Sequence, residues 1–275
     1  MTAPSLTWLY APASRPELVE KALASRAHAV IVDLEDAVAP ADKDDARGNL
    51  EALLGAPLER TVCVRINGLA SPWWQADLAI VVSLAGVDSL LLPKVESAGD
   101  VGVIVEELAR ASSTLALRCL IESARGVESA LEIASASPRL QGVSLGEADL
   151  RSQLRCDEDG LDYVRSRLIL ASAAAGLPRP PQSVYPRLRD PEGLARSCAR
   201  GRTLGFLGRA AIHPEQLEEI ERAYLPTAQE LESAREIVEG ADGARTQADG
   251  SFVDAAFVRG ASETVALAER YGVRA

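Results

Sequence analysis

Short, continuously apolar runs punctuate the chain, and longer amphipathic stretches fill the intervals between them. Eight runs read as strands: Leu6–Tyr10, Ala29–Asp33, Thr61–Ile66, Ser89–Leu92, Leu115–Ile121, Gly142–Leu145, Ser183–Tyr185 and Arg209–Ile212. Helical patterns alternate with them at Pro16–Ser25, Ala41–Leu54, Trp73–Ser83, Ser97–Ala111, Gly126–Ala136, Gly160–Ala175, Pro191–Leu204 and Pro214–Tyr224. A strand that is apolar on both faces must be covered on both, and parallel strands joined by crossover helices meet that need. The class is therefore α/β. Eight successive strand–helix units predict a closed (β/α)8 TIM barrel, for which 275 residues are enough.

Past Pro226 the alternation stops. Thr227–Glu239 reads as a helix, with Thr227 and Glu230 spaced as a capping box. The stretch "GADGARTQADGSF" carries repeated Asp/Gly turn signals and reads as an exposed, mobile loop or hairpin. A last helix is expected over Asp254–Tyr271. The expected organisation is a barrel catalytic domain, residues 1–225, and a C-terminal helical extension, residues 226–275.

Charge and composition exclude several function classes. A net charge of −11 repels phosphate backbones, so nucleic acid is not an expected partner. No apolar run has the length of a membrane span. The N-terminal "MTAPSLTWLY" lacks the basic and apolar regions of a secretory signal, so none is expected. Cys63, Cys119, Cys156 and Cys198 form no CxxC pair and read as reduced thiols of a cytoplasmic protein. With His28 and His213 the only histidines, a zinc site is not expected.

The unusual polar residues gather at one kind of position. Asp33, Glu35 and Asp36 follow the second strand, Arg65 and Asn67 close the third, and Lys94 follows the fourth. Glu122 closes the fifth strand, Asp149 follows the sixth, and His213 closes the eighth. All are carboxyl ends, which in a barrel share the rim that carries the active site. Each also has a structural reading. Asp33 and Asp36 can start turns, Asp149 can cap a short helix, and His213 before Pro214 can cap another. Cys63 and Cys119 read as packing residues; Trp73 and Trp74 can pack the rim or wall a pocket.

Two carboxylates on neighbouring strand ends, with no histidine or cysteine nearby, make a hard all-oxygen site. Mg²⁺ suits such a pair, because it keeps open positions for water or substrate oxygens. Glu122 and Asp149 are the best pair. A magnesium ion there can polarise a carbonyl and stabilise an enolate. Arg65, two strands away on the rim, can hold a carboxylate with its planar fork. Metal and arginine together read as a receptor for a 2-oxo acid.

Six motifs then occur in order: "VDLEDAV" (32–38), "RINGLASPWW" (65–74), "LPKVES" (92–97), "IESARGV" (121–127), "LGEADL" (145–150) and "IHPEQ" (212–216). Together they resemble the citrate lyase β-subunit-like family of the HpcH/HpaI aldolase superfamily, whose relatives include malyl-CoA and citramalyl-CoA lyases. The similarity runs from "YAPASRPELVEKA" to "DGSFVDAAFVRGA". The resemblance implies a TIM barrel with a C-terminal helical extension, assembled as a homotrimer or higher homo-oligomer. It implies Mg²⁺ on Glu122 and Asp149, and a 2-oxo acid carboxylate on Arg65. It places Glu35 and Asp36 with the catalytic set and Lys94 with substrate binding. Arg15 and Lys21 match positions that contact coenzyme A, and Asp254 matches an acid or base completing a neighbouring subunit's site. Asp254 is also well placed as a plain helix N-cap.

The sequence departs from the family pattern at Ala148, where many relatives have Glu beside the metal Asp, and around "SVY", where Gln182, Pro186 and Arg187 replace acidic residues. A glycine that often follows the second metal motif is missing from "RSQLRCDED". The expected activity is Mg²⁺-dependent cleavage of a 3-hydroxy-3-carboxyacyl-CoA, such as malyl-CoA or citramalyl-CoA, to acetyl-CoA and a 2-oxo acid. Thioester hydrolysis after the reverse condensation would make it a synthase. Other readings are a CoA-independent 2-oxo-acid aldolase, a citrate lyase β subunit acting on an acyl-carrier-protein thioester, and a catalytically silent binding protein.

Overall fold

The computed structural model describes residues 4–240, 245–246, 252–253 and 255–274. Seven parallel strands form one sheet: β1 Thr7–Pro12, β2 Ala29–Asp33, β3 Thr61–Arg65, β4 Ser89–Leu92, β5 Ala116–Ile121, β6 Leu140–Leu145 and β7 Arg209–Ala211. Their order is β6-β5-β4-β3-β2-β1-β7. The inward side chains Trp8, Ala29, Ile31, Cys63, Leu91, Leu120 and Ala210 form a single buried cluster, with Tyr10 and Val184 packed on it. Members from both halves of the strand order meet in that cluster, so the sheet is curled into a TIM barrel.

The expected seventh strand, Ser183–Tyr185, is not a strand. Only Gln182 pairs, in an isolated parallel bridge to Arg209. Gln182 N–H donates to Gly208 O and Ala210 N–H to Gln182 O, both at 2.9 Å. Pro178, Pro180, Pro181 and Pro186 bracket the segment, and proline brings no N–H to a ladder. Val184 still points into the core, so this segment occupies the gap between β6 and β7 with side chains in place of a backbone ladder.

Helices on the outside join the strands: α1 Pro16–Ala24, α2 Lys43–Leu54, α3 Trp74–Val81, α4 Ala98–Arg110, α5 Ala124–Glu128, α6 Ala130–Ala134, α7 Glu147–Leu154, α8 Asp162–Ala174, α9 Pro191–Leu204 and α10 Leu217–Tyr224. Their starts follow local chemistry. Ser97 and Asp100 form a capping box for α4, and Asp190 caps α9 ahead of Pro191. The single helix expected over Gly126–Ala136 is two short ones, α5 and α6. Helix α7 adds an element the periodicity did not predict.

The chain divides within α10 into two compact units, Pro4–Ile220 and the described residues from Glu221 onward. In the second unit, α11 Ala228–Glu239 carries the expected Thr227/Glu230 capping box. β8 Arg245–Thr246 pairs antiparallel with β9 Phe252–Val253, and α12 Ala255–Tyr271 packs with α11. Among the described residues no helix is long and apolar enough to cross a membrane.

Gly208 enters β7 with φ +83°, and a Cβ there would overlap the backbone of Leu6, the residue before β1. Gly208→Ala therefore meets both left-handed strain and a backbone clash where β1 and β7 join. We expect a loss of about 2 kcal/mol or more, read as a lower urea midpoint. An unchanged midpoint would mean that the β1–β7 junction can relax around a methyl group.

Candidate active site

The period of two that sends Ile31, Cys63 and Leu120 inward continues to Asp33, Arg65 and Glu122, which stand two residues further along β2, β3 and past β5. Arg65, Glu122, Asp36 and Asp149 line one cavity of about 250 Å³ that opens at this rim and runs down into the barrel.

Arg65 is held from below and from the side. Asp33 accepts Nε–H at Oδ1 (2.6 Å) and Nη2–H at Oδ2 (2.7 Å), a bidentate pair. The same carboxylate accepts the backbone N–H groups of Glu35 (2.9 Å) and Ala37 (3.0 Å). Asp33 thus both starts the turn, as its residue type suggested, and orients the arginine. Glu35 Oε2 lies 2.9 Å from Arg65 Nη1, and the guanidinium stacks over Tyr10 at 5.1 Å. Charge pairing with Asp33 and Glu35 outweighs burial and keeps Arg65 firmly protonated. The N–H groups of Nη1 and Nη2 not turned to Glu35 or Asp33 are what it can offer a ligand.

Glu35 is buried, and its Oε1 lies 2.5 Å from Lys94 Nζ. Burial raises its pKa, opposed by Arg65 and Lys94. Lys94 also donates to Asp36 Oδ1 at 3.1 Å, so Glu35, Asp36 and Lys94 form one ionic group. They also line a wider, adjoining recess with Trp73, Ser97 and Arg125. Beneath them the buried Lys43 ammonium donates to Leu34 O, Glu35 O and Asn67 Oδ1 at 2.6–2.7 Å. Asn67 in turn is fixed by Asp77.

Glu122 is 6% exposed. Its Oε2 accepts the backbone N–H of Lys94 at 3.0 Å, and Lys94 adopts left-handed geometry, φ +56°. This contact reaches across strands and is not a local turn. Its Oε1 occupies space that a Cβ at Gly146 would fill, which explains the glycine of "LGEADL". Burial, then the like charges of Glu35 and Asp149, push the Glu122 pKa up to about 8; Arg65 and Lys94 pull the other way. Asp149 sits exposed in the first turn of α7, whose N-cap is Gly146, so it does not cap the helix. Among the described residues Asp149 has no hydrogen-bond or ion-pair partner. Its neighbour Glu147 is clamped bidentately by the buried Arg165, at 2.9 and 2.6 Å, which fixes that turn of α7.

This donor set fits a hard divalent cation. Two carboxylates at the ends of neighbouring strands share the cavity: Asp149 has no partner among the described residues, and Glu122 is destabilised as an anion by burial and then by like charges. No group of three or more His, Cys, Asp or Glu placed to hold a metal ion by itself occurs among the described residues, so an ion here would draw its remaining ligands from water or substrate.

The other expected residues lie elsewhere. Arg15 and Lys21 line neither cavity; Arg15 is exposed and bonded to Glu17 Oε1 at 2.6 Å. His213 accepts Glu215 N–H at 3.3 Å, the capping role. Asp254 and most of the Gly/Asp-rich stretch before it lie outside the described residues. Sequence reasoning missed Tyr10, the Glu147–Arg165 clamp and Arg118, a charge two residues below Leu120 on the inward face. The period of two through 118, 120 and 122 was the available signal for Arg118.

Comparison with known proteins follows the same lines. A family model described as HpcH/HpaI aldolase/citrate lyase matches residues 6–214, and one described as a C–C bond lyase of the TIM-barrel fold matches residues 171–273. An L-malyl-CoA/β-methylmalyl-CoA lyase of Cereibacter sphaeroides is 32% identical over 97% of this chain and 95% of its own. A (3S)-malyl-CoA thioesterase from the same species is 36% identical over 95% and 93%. The CitE protein of Mycobacterium tuberculosis, solved with magnesium, acetoacetate and coenzyme A, superposes with a TM-score of 0.83 at 33% identity, covering 97% of this chain and 99% of that one.

The raised Glu122 pKa has a signed consequence for the metal-free protein. The folded state holds a proton that the unfolded chain has released, so this contribution is full below the ordinary value of 4.5 and is lost as pH rises through about 8. In chelator, wild type should therefore lose stability relative to Glu122→Gln as pH is raised across that range, measured by urea unfolding. Parallel pH profiles would place the titration elsewhere.

Proposed function

The chain belongs to the HpcH/HpaI aldolase/citrate lyase family, and from that footing we propose that it is a Mg²⁺-dependent carbon–carbon lyase acting on a 3-hydroxy-3-carboxyacyl-CoA. Malyl-CoA and citramalyl-CoA are the model substrates, and the products are acetyl-CoA and a 2-oxo acid. The observation that carries this reading is the convergence of Glu122, Asp149 and Arg65 on one cavity. A cavity of about 250 Å³ suits the oxo-acid end, so the nucleotide of coenzyme A must lie outside it.

Glu122 and Asp149 would hold the metal, which when bound supplies Lewis-acid polarisation of the oxo-acid oxygens. Arg65 holds the substrate carboxylate with its free N–H groups while Asp33 keeps the fork from turning. Cleavage takes the proton of the substrate hydroxyl and leaves the bonding pair on the acetyl carbon as a thioester enolate. That carbon needs a proton. Arg65 cannot supply it, and we assign the transfer to Asp254, contributed by a neighbouring subunit of a homotrimer or higher oligomer: its carboxylate takes the hydroxyl proton and returns it to the enolate carbon. Glu35, Asp36 and Lys94 set the charge of the rim around the reacting centre. Arg15 and Lys21 are assigned to coenzyme A. A cytoplasmic setting supplies these substrates.

The assay follows both halves of the molecule. Malyl-CoA or citramalyl-CoA with Mg²⁺ should yield a 2-oxo acid and acetyl-CoA. Release of free CoA and hydroxy acid without oxo acid would mark a thioesterase. Turnover only of an acyl-carrier-protein thioester would mark a citrate lyase β subunit. Glu122→Gln and Asp149→Asn should each lower cleavage by orders of magnitude with folding retained, and near-normal turnover after chelation would refute the metal role. Arg65→Lys keeps charge without the fork and should raise the KM of the oxo acid in the reverse reaction more than that of acetyl-CoA. Mixed oligomers of Asp254→Asn and Glu122→Gln chains should regain partial activity if subunits share sites.

A further inference from the structure

The cavity does not end at the rim. Trp8, Cys63, Gly142 and Gln182 line its lower part, and Arg118 stands among them. TIM-barrel interiors are ordinarily filled by layers of branched apolar side chains. Here small residues at Cys63, Gly142 and Ala210 leave room, and a guanidinium enters that room.

Arg118, half-buried in the cavity wall, differs from the buried cations of this unit in having no hydrogen-bond acceptor among the described residues; Lys43 and Arg209 have neutral ones. Arg65 and Arg165 each have carboxylate partners. Arg118 has none among the described residues, and its Nε is buried without a hydrogen-bond acceptor. The acidic group that acts on it is Cys63, whose pKa burial pushes up to about 11, so the thiol is neutral and supplies no countercharge. The face of Trp8 lies 4.5 Å from the guanidinium carbon, which stabilises a cation but does not neutralise it. Gly142 completes the cradle, for a Cβ there would stand 2.7 Å from Nη1. An uncompensated charge in such a place is destabilising, and a bound anion would relieve it.

The two guanidiniums are stacked in depth. Asp33, Arg65, Leu91, Arg118 and Gly142 are consecutive partners across β2, β3, β4, β5 and β6. Arg65 packs over Tyr10 and Arg118 over Trp8, two residues lower on β1, a step of roughly 7 Å. A short dicarboxylate can bridge such a step, whereas a monocarboxylate reaches only one end.

We propose that Arg118 is a second anion anchor at the floor of the cavity, taking the distal carboxylate of a 2-oxo dicarboxylic acid whose first carboxylate is held by Arg65. The assignment rests on the oxo-acid reading of the rim. It makes Arg118 a specificity-determining residue, favouring an oxo acid with an anionic side arm over one with a methyl group or hydrogen. A free small anion such as chloride shares the chemistry, and competition separates the two sources.

The test measures equilibrium binding and condensation kinetics of the Mg²⁺-loaded protein with acetyl-CoA, comparing oxaloacetate with pyruvate. Wild type should favour oxaloacetate by about tenfold or more, the worth of a charge-assisted pair. Arg118→Met should collapse that ratio toward one. Gly142→Ala, which retains the arginine but crowds it, should collapse it as well and guards against a folding defect in the first variant. Chloride should weaken oxaloacetate binding to wild type and leave its effect on the Arg118→Met protein small. Equal ratios in all three proteins, or no preference in wild type, would overturn the anchor while leaving the lyase reading intact. Chloride that weakens both acids equally would assign the site to a free anion and overturn the substrate role. Failure of wild type to bind either acid would instead refute the oxo-acid reading itself, and the anchor with it.

Discussion

The Asp33–Arg65 pair is the constraint from which the rim is built. The two residues are direct partners across β2 and β3, both on the inward face, and both oxygens of Asp33 are spent on the guanidinium. Each oxygen also takes a backbone N–H of the following turn, so one carboxylate ties the loop after β2 to the strand beside it. A bidentate, buried pair of this kind is weak evidence of net stability but strong evidence of fixed geometry. The arginine can neither swing away nor lose its proton. Glu35 and Lys94 are then positioned by the same turn, and Lys94 presents its backbone N–H to Glu122. Removing Asp33 would leave Arg65 with Glu35 alone, free to turn, and would untie the turn in the same step.

Much of this was legible in the residues. Alternating apolar runs announced the barrel because parallel strands buried on both faces cannot hide their pattern. The rim residues were legible because a charge that ends an apolar run stands at a strand's mouth. The "SVY" strand was misread because three small or apolar residues look like a strand in isolation, whereas the prolines on both sides remove the donors a ladder needs. Helix α7 was missed for a related reason. Its sequence, EADLRSQL, is mostly polar, and its position is fixed by the Glu147–Arg165 clamp, a contact between residues that no local pattern links.

The site's polarity was the least legible part. Sequence identified Glu122 and Asp149 as carboxylates on neighbouring ends. It did not show that Glu122 would be buried beside Glu35, nor that Gly146 had to be small to admit it. It did not distinguish Asp149 as a helix cap from Asp149 as a free ligand. That distinction came from three dimensions, where Gly146 is the cap of the helix and the aspartate has no partner among the described residues. Arg118 was readable in principle by parity with Leu120 and Glu122, yet a single arginine in "ALRCLI" reads more naturally as facing outward.

These features give the cavity a vertical gradient of charge. At the rim the carboxylates Asp33, Glu35, Asp36, Glu122 and Asp149 outnumber the cations Arg65, Lys94 and Lys43 among the described residues, so a cation is drawn there. At the floor Arg118 is alone with neutral neighbours, so an anion is drawn there. Low-dielectric walls prevent solvent from levelling the difference, because fields inside a narrow apolar enclosure are screened far less than at a surface. A divalent metal with a small polycarboxylate is the simplest pair of occupants that answers both ends at once. The acidic surface of the whole chain repels such anions at a distance. Selection must therefore happen inside, where two fixed guanidiniums at different depths measure both the charge of the incoming acid and the spacing of its carboxylates.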